Sequence, residues 1–137
     1  MLVEKGNLKI NYKLGTPKNQ TIPLWFATEI NFTLLAGHSP DRYYKWEGIP
    51  EGEVLMDAKR IVENISWIEA IDKAFGFKMR IEMNADRIIL KPVETVSQSE
   101  KGFDKIYQGS TIWLLWKPKW TSSNESKFSV GILVEPV

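Results

Sequence analysis

Residues 91–118, "KPVETVSQSEKGFDKIYQGSTIWLLWKP", join two apolar runs through a polar bend. The first run begins upstream as "DRIILKPVETV" (residues 86–96), and the second is "STIWLLWKPKW" (residues 110–120). Both are bounded by turn residues and rich in β-branched or aromatic residues, which predicts two strands. Two to five residues usually close a hairpin, whereas the polar segment between these two runs is longer. Amide and carboxylate side chains surround it at Glu94, Gln98, Glu100 and Gln108, with Trp113 and Trp116 close behind.

The rest of the chain carries further strand signals. "GNLKINYKLG" (residues 6–15) alternates strictly, which indicates a sheet with one solvated face. "IPLWFATEINFTLLAG" (residues 22–37) is apolar on both sides and predicts a central strand. "ENISWIEAIDKAFG" (residues 63–76) fits a helix or a strand. We favour a strand because "FKMRIEMN" (residues 77–84) alternates directly after Gly76 and would complete a hairpin, and "KFSVGILVEPV" (residues 127–137) adds another strand.

Turn residues recur between these strands. "GHSPDRYYKWEGIPEGE" (residues 37–53) is predicted to be a loop, and "TSSNES" (residues 121–126) is predicted to be a hairpin loop between the last two strands. With seven or more strands and no convincing long helix, the sequence predicts an all-β protein. We expect one antiparallel β-sandwich domain over residues 1–137.

Composition narrows the function classes. The chain has 137 residues, 43% of them hydrophobic and 26% charged, which is ordinary for a globular domain. A net charge of +1 gives no reason to expect nucleic acid or a membrane as partner. The absence of cysteine excludes disulfides and thiolate metal sites. Residues 1–10 have the pattern of neither a signal peptide nor a membrane span, so we expect a cytoplasmic protein.

Familiar catalytic patterns are missing from the sequence. His38 is the single histidine, so we expect no metal site, and neither a nucleophile elbow nor a phosphate-binding loop occurs, so no cofactor is expected. Carboxylate-pair chemistry stays open, with Glu29, Glu94 and Glu100 in contexts that could perturb them. Because Glu29 lies in an apolar run, we expect its carboxylate to be paired or hydrogen-bonded, and Arg42 is the candidate for a buried pair.

Three stretches resemble a known family. They are residues 26–44, "FATEINFTLLAGHSPDRYY", residues 67–83, "WIEAIDKAFGFKMRIEM", and residues 91–118. Together they resemble the C-terminal domain of the α-amylases and 4-α-glucanotransferases of glycoside hydrolase family 57. The shared features are the Glu-x-Asn strand at Glu29 and Asn31, the segment from Pro92 to Gly102, and the aromatic-Gln-Gly step at residues 107–109.

This resemblance implies a β-sandwich similar to the galactose mutarotase supersandwich. In the family, the domain follows a catalytic barrel that carries the nucleophile and the acid, and nothing in this sequence matches those motifs. The resemblance therefore implies a chain without catalytic activity of its own. The chain is also shorter than the family's domain, so it is expected to be either an excised fragment or a short stand-alone relative.

Three functions follow as hypotheses. The first is a module that binds α-glucan or maltooligosaccharide through planar polar groups and an indole platform, with Glu94, Gln98, Glu100, Gln108, Trp113 and Trp116 as candidates. Alternation puts Trp113 and Trp116 on opposite faces, so at most one should meet a ligand. The second is a structural domain that docks on a catalytic barrel, with the polar segment stabilising its own turn. The third is a mutarotase-type epimerase, which a single histidine does not favour.

Overall fold

The structure is a computed structural model that describes residues 5–17 and 20–137. Within those ranges the chain forms strands joined by turns and loops, without a helix. The strands are β1 (Gly6–Gly15), β2 (Phe26–Phe32), β3 (Arg42–Lys45), β4 (Val54–Leu55), β5 (Arg60–Glu63), β6 (Trp67–Asp72), β7 (Phe77–Met83), β8 (Arg87–Ser99), β9 (Gly102–Trp116) and β10 (Glu125–Pro136). The interpretation of residues 1–10 rests partly on residues 1–4, which lie outside the described residues.

The strands form two antiparallel sheets. One has six strands in the order β1-β10-β7-β6-β3-β4, and the other has four strands in the order β2-β9-β8-β5. All of the pairings between neighbouring strands are antiparallel. The prediction of an all-β, antiparallel sandwich is confirmed.

The core lies where the inner faces of the two sheets meet. More buried and more exposed side chains alternate along β2 and the first residues of β8, as expected for packed sheets, whereas every residue of β6 from Ile68 to Asp72 is buried. Both sheets contribute members that are almost completely buried, among them Ile68, Ile81, Ile112, Leu114 and Val130. An aromatic cluster continues this core, with ring centroids 5.2–6.4 Å apart, and consists of Tyr12, Phe26, Trp116 and Phe128.

The hairpin predicted in residues 63–84 is confirmed. Strands β6 and β7 pair from Trp67 with Glu82 to Asp72 with Phe77, and Gly76 supplies a turn residue with φ of 73°. The predicted apolar face of β7 packs on or within the core, through Phe77, Met79, Ile81 and Met83. Of the two structures that fit "ENISWIEAIDKAFG", the strand is therefore the one observed.

The prediction of a central strand in residues 22–37 is wrong. Strand β2 occupies only Phe26–Phe32 and forms an edge of the four-stranded sheet. The apolar residues before it, Ile22, Leu24 and Trp25, lie outside the strand and are exposed. Because these exposed residues are hydrophobic, the sequence of the segment resembles that of a strand buried on both faces.

Two loop predictions also need correction. Residues 37–53 contain β3, whose Tyr43 and Tyr44 are among the most buried side chains of the protein. The Gly and Pro residues of this segment delimit a short core strand instead of an open loop. Residues 121–126 do not close a hairpin, because β9 belongs to the four-stranded sheet and β10 to the six-stranded sheet.

Strands β8 and β9 form one long hairpin with two distinct parts. We call residues 87–93 and 109–116 the base, and residues 94–107 the arm. In the base, β5 pairs with residues 87–90 and β2 with residues 110–116. Throughout the described ranges of the chain, no third strand pairs with the arm, so it extends from the sheet as a two-stranded ribbon.

The bend at the tip of the arm is shorter than the sequence predicts. Strand β8 continues through Ser97 and Gln98 to Ser99, and β9 begins at Gly102, so Glu100 and Lys101 alone connect them. Gly102 has φ of 125°, a conformation that favours glycine. The sequence predicted a longer bend because the strand residues next to the tip are polar. They are polar because both faces of the ribbon are solvated.

Candidate functional site

The outer face of the four-stranded sheet is the face turned away from the core. It carries Trp113, which is 37% exposed, whereas its near neighbour Trp116 is 3% exposed and lies in the aromatic cluster. The alternation predicted for this strand is therefore present. Across the sheet, Trp113 stands opposite Glu29 of β2 and Ile89 of β8.

A chain of hydrogen bonds fixes the polar groups beside Trp113. The Thr111 hydroxyl donates to Asn31 Oδ1 over 2.6 Å, and Asn31 Nδ2 donates to Glu29 Oε1 over 2.9 Å. The Asn31 amide therefore has a defined orientation, with one N–H and one lone pair left over. The second carboxylate oxygen of Glu29 takes no part in these hydrogen bonds.

A β-bulge places the next polar group. Val93 pairs with Gly109 and Glu94 pairs with Tyr107, so Gln108 is an extra residue in β9. The Gln108 amide donates to Thr95 Oγ1 over 3.2 Å. Bulges redirect side chains at functional edges, and this one brings Gln108 to the end of the sheet where Glu29 and Asn31 lie.

These residues surround a shallow depression of about 540 Å³, lined by Glu29, Asn31, Phe32, Thr33, Val93, Gln108, Gly109 and Ser110. Gly109 is required by the structure, because a Cβ atom there would lie 2.9 Å from the carbonyl oxygen of Phe32. Close packing of β2 against the bulge thus forms part of the depression wall.

Lys91 adds a cation to this surface. It stands opposite Thr111, and its Nζ lies 6.0 Å from the centroid of the Trp113 ring, near the outer limit of a cation–π contact. One ring face of Trp113 is therefore bordered by a flexible amine. The indole is available to a flat apolar surface such as a sugar ring.

The other candidates from the sequence lie elsewhere. Glu94 is on the opposite face of the hairpin, where its carboxylate lies 3.7 Å from Lys59 Nζ. Gln98 pairs with Phe103 near the tip, and Glu100 lies in the connection. The structure thus brings Gln108 and Trp113 to the outer face, leaves Glu94, Gln98 and Glu100 on the arm, and buries Trp116.

The expected buried pair of Glu29 and Arg42 does not form, and this prediction is wrong. Glu29 is exposed and bonded to Asn31, while Arg42 Nε donates to the completely buried carboxylate of Asp72 over 2.9 Å. The reason is topological, because β3 pairs with β6 and sets Arg42 directly opposite Asp72. The apolar setting of Glu29 in the sequence reflects an edge strand with one solvated face.

The sequence interpretation missed other members of this surface. Thr111 and Lys91 complete the outer face around Trp113, and both follow from two-residue alternation once Trp113 is placed outward. Trp25 is 41% exposed, with the Arg87 guanidinium 5.2 Å and the Lys117 amine 4.8 Å from its ring centroid. No local signal distinguishes Trp25, because its position depends on β8.

The root of the arm is held by hydroxyl groups on the inner side. Tyr107 packs against Gly37, and its hydroxyl lies 2.5 Å from Ser110 Oγ, which donates to the Met56 carbonyl over 2.9 Å. Burial raises the pKa of Tyr107, and the Ser110 hydrogen bond opposes that rise. These contacts attach the end of the arm that adjoins the base to the loop before β5.

The outer face offers hydrogen-bond donors and acceptors in fixed positions and one exposed indole. Groups of His, Cys, Asp or Glu able to hold a metal ion do not occur in the part of the chain that the structure describes. His38 Nδ1 lies 2.9 Å from Asp57 Oδ2 in an exposed loop. In residues 5–17 and 20–137, no helix is long and apolar enough to cross a membrane.

Comparisons with known proteins show the family of the chain. Residues 1–130 match the family model described as alpha-amylase/4-alpha-glucanotransferase, C-terminal. Alpha-amylase 1 of Dictyoglomus thermophilum is 28% identical over 115 residues, which cover 83% of this chain and 16% of that protein. The chain thus corresponds to a small part of that relative's length. No solved structure matches. The chain belongs to the family of C-terminal domains of α-amylases and 4-α-glucanotransferases.

Proposed function

We propose that this chain is a non-catalytic module of an α-glucan-processing enzyme and that it binds α-1,4-glucan on the outer face of its four-stranded sheet. The observation that carries the proposal is the exposed indole of Trp113 beside a hydrogen-bonded row of polar side chains, Thr111, Asn31 and Glu29. Membership of a family of α-amylase and 4-α-glucanotransferase domains supports α-glucan as the ligand class.

The geometry suits a sugar chain. An apolar face of a glucose ring would stack on Trp113, while its hydroxyl groups would meet the remaining donors and acceptors of Glu29, Asn31 and Gln108. Because hydrogen bonds already hold Asn31 and Gln108, little side-chain entropy is lost on binding. The surface is open, so few groups contact each sugar, and we expect a dissociation constant of roughly 1 mM.

The same surface is poorly equipped for glycoside hydrolysis. That reaction uses two carboxylates about 5–10 Å apart on either side of the scissile bond. Among the described residues that line the depression, Glu29 is the one acidic side chain, and its Oε1 already accepts the Asn31 hydrogen bond. This supports a binding role, with catalysis supplied by another domain.

Fluorescence titration with maltoheptaose tests the proposal. Stacking on Trp113 should change its emission, and Trp113→Ala should remove the saturable change. Trp120→Ala is the matched control, because the Trp120 N–H reaches the Ile22 carbonyl over 3.4 Å and the residue does not line the depression. A saturable signal that survives in Trp113→Ala and disappears in Trp120→Ala would contradict the proposed surface.

A second candidate is a docking domain for a catalytic polypeptide. The arm favours it, because Val96 is 61% and Phe103 76% exposed on a ribbon without a covering element in the described residues. Exposed apolar clusters mark interaction surfaces. The test is gel filtration with an α-amylase-type catalytic polypeptide from the same organism. Docking predicts a complex that Phe103→Ser weakens and Trp113→Ala does not; the reverse pattern would reject the arm as the contact.

A further inference from the structure

The six-stranded sheet contains a glycine that the fold does not explain. Gly131 lies inside β10, a strand paired on both sides, with Lys9 of β1 and with Glu82 of β7. Both ladders keep a regular register through Gly131, so it marks no bulge. Its φ lies outside the left-handed region, so its conformation does not require glycine.

Packing does not require this glycine either. A Cβ atom built at Gly131 would have Glu82 Cβ as its nearest neighbour at 3.8 Å, which is an ordinary contact. Gly109 differs, because a Cβ atom there would press on the Phe32 carbonyl oxygen. Glycine weakens a strand interior, and where neither bulge nor packing explains it, the remaining use is to let another molecule approach the backbone.

Gly131 forms the floor of a trough on the outer face of the six-stranded sheet. The trough has a volume of about 520 Å³, and Lys9 and Asn7 line one side, with Glu82, Arg80 and Trp67 on the other. Register alone predicts this cross-strand row, which runs from Lys9 over Gly131 and Glu82 to Trp67. We call it the β10 trough.

The far wall of the trough is held in place by ion pairs. The Arg80 guanidinium lies 4.2 Å from the centroid of the Trp67 ring. Its nitrogens also donate to Glu69 over 3.0 Å and to Glu82 over 3.1 Å. A planar cation, a carboxylate and an indole therefore stand in fixed positions beside the open floor, which provides both donors and acceptors.

Charge in this wall is nearly balanced, which selects the class of ligand. Arg80 is neutralised by Glu69 and Glu82, and Lys78 pairs with Glu69 and Glu135. Lys9 is then the one cation of the trough lining without a carboxylate partner among the described residues, so a phosphate or an acidic peptide would meet a single amine. An apolar peptide would meet mainly polar walls. An uncharged ligand rich in hydroxyl groups fits best.

We propose that the β10 trough is a second α-glucan-binding surface, on the opposite side of the sandwich from Trp113. The choice of α-glucan rests on the proposed function, whereas the trough and its preference for an uncharged polyhydroxylated ligand do not. Two surfaces on opposite faces let one module contact two glucan chains, and a module tethered to insoluble glucan would gain avidity.

The test uses amide chemical shifts of the whole chain titrated with maltoheptaose. Wild-type protein should show one set of shifts at Trp67, Arg80, Glu82 and Gly131, and a second set around Trp113. In Gly131→Val the side chain fills the trough, so the first set should disappear or need at least about tenfold more ligand. Trp113→Ala should keep the first set.

Stability supplies an independent readout. Valine favours strands, so Gly131→Val should keep or raise the melting temperature while it abolishes trough binding. Gly15→Val is the matched control, since Gly15 lies in β1 with open space around it and should leave both sets of shifts unchanged.

Five results would overturn the inference. Shifts around Trp113 without any at the trough would reject the trough and leave the proposed function standing. Trough shifts that persist in Gly131→Val would place the ligand elsewhere, and loss of the trough shifts in Gly15→Val as well would show that the effect is not specific to the trough. A melting temperature several degrees lower in Gly131→Val would show that the glycine is structural. Absence of shifts at both surfaces would reject this inference and the proposed function together.

Discussion

The base and the arm of the β8–β9 hairpin are continuous in sequence and opposite in environment. Ile112 and Leu114 of the base are completely buried, whereas Ile106 of the arm is 51% exposed and Phe103 is 76% exposed. The backbone pairing is continuous from Arg87 with Leu115 to Ser99 with Gly102, apart from the bulge at Gln108. Local strand geometry is thus shared by the two parts.

Neighbouring elements account for the difference. Strands β2 and β5 flank the base and end before the arm begins. The buried core residues of the hairpin all lie in the base, and in the arm Tyr107, at its root, packs against them. A ribbon of two strands is marginally stable alone. The base therefore carries the stability of the hairpin, and the polar groups of the outer face are positioned on that rigid part. Predictions follow from the largest expected effect to the smallest.

Trp116→Ala removes a large side chain from the aromatic cluster of the base. We expect a loss of about 3–5 kcal/mol in the free energy of unfolding, because the indole packs against Tyr12, Phe26 and Phe128. Urea denaturation measures it. Trp113→Ala is the control and should cost less; equal losses for the two variants would contradict the burial difference between them.

Gly109→Val tests the junction of base and arm. The new Cβ atom would lie 2.9 Å from the Phe32 carbonyl oxygen, so β2 must move away from the bulge. We expect a loss of about 1–3 kcal/mol from overpacking, together with weaker maltoheptaose binding because the depression is distorted. Unchanged thermal stability would mean that β2 does not approach β9 this closely.

Tyr44→Phe tests the hydroxyl cluster beneath the arm root. The Tyr44 hydroxyl is buried near the hydroxyl groups of Ser110 and Tyr107, but it makes no hydrogen bond of normal geometry to the described residues. Because such a group costs about 1–3 kcal/mol, the variant should be up to about 1 kcal/mol more stable at neutral pH. Clear destabilisation there would show that the hydroxyl is satisfied.

The same variant should respond differently to alkali. Burial raises the pKa of Tyr44 far above its usual value. Wild-type stability should therefore be complete below about pH 10, where the unfolded tyrosine is protonated. It should fall as pH rises above that value, and Tyr44→Phe should flatten the fall. Unfolding curves measured across this range would show the difference in slope.

Phe103→Ser should have the smallest effect. The side chain is mostly exposed in the isolated chain, so we expect a change within about 0.5 kcal/mol. Hydrogen exchange gives the matching observation, because amides of the arm should exchange faster than those of residues 109–116. Equal protection in both parts would mean that something covers the arm.

Much of the fold was predictable because strand signals are local. Two-residue alternation identified the strands in residues 6–15 and 77–84, and β-branched and aromatic residues between turns identified those in residues 86–96 and 110–120. Alternation also placed Trp113 and Trp116 on opposite faces. What failed depended on distant pairing. The pairing of β3 with β6 buries Tyr43 and gives Arg42 its partner Asp72, and no signal within residues 37–53 encodes β6.

The candidate site was predictable in part for the same reason. Gln108 and Trp113 were identified as polar and aromatic groups near a bend, and the structure places them on one face. Glu94, Gln98 and Glu100 belong to the arm because β8 continues to Ser99, and their polarity reflects a solvated ribbon. Trp25 could not be found, since its neighbour Arg87 is remote in sequence.

Nuclear Overhauser effects from maltoheptaose to the indole protons of the six tryptophans and to the side-chain protons of Val96 and Phe103 test the central claim most directly. The account predicts contacts from glucose ring protons to Trp113, which is exposed on the outer face, and none to Trp116, which is buried. Contacts confined to the arm, at Phe103 and Val96, would contradict the placement of glucan on the base. So would the absence of any contact to Trp113 at high millimolar ligand.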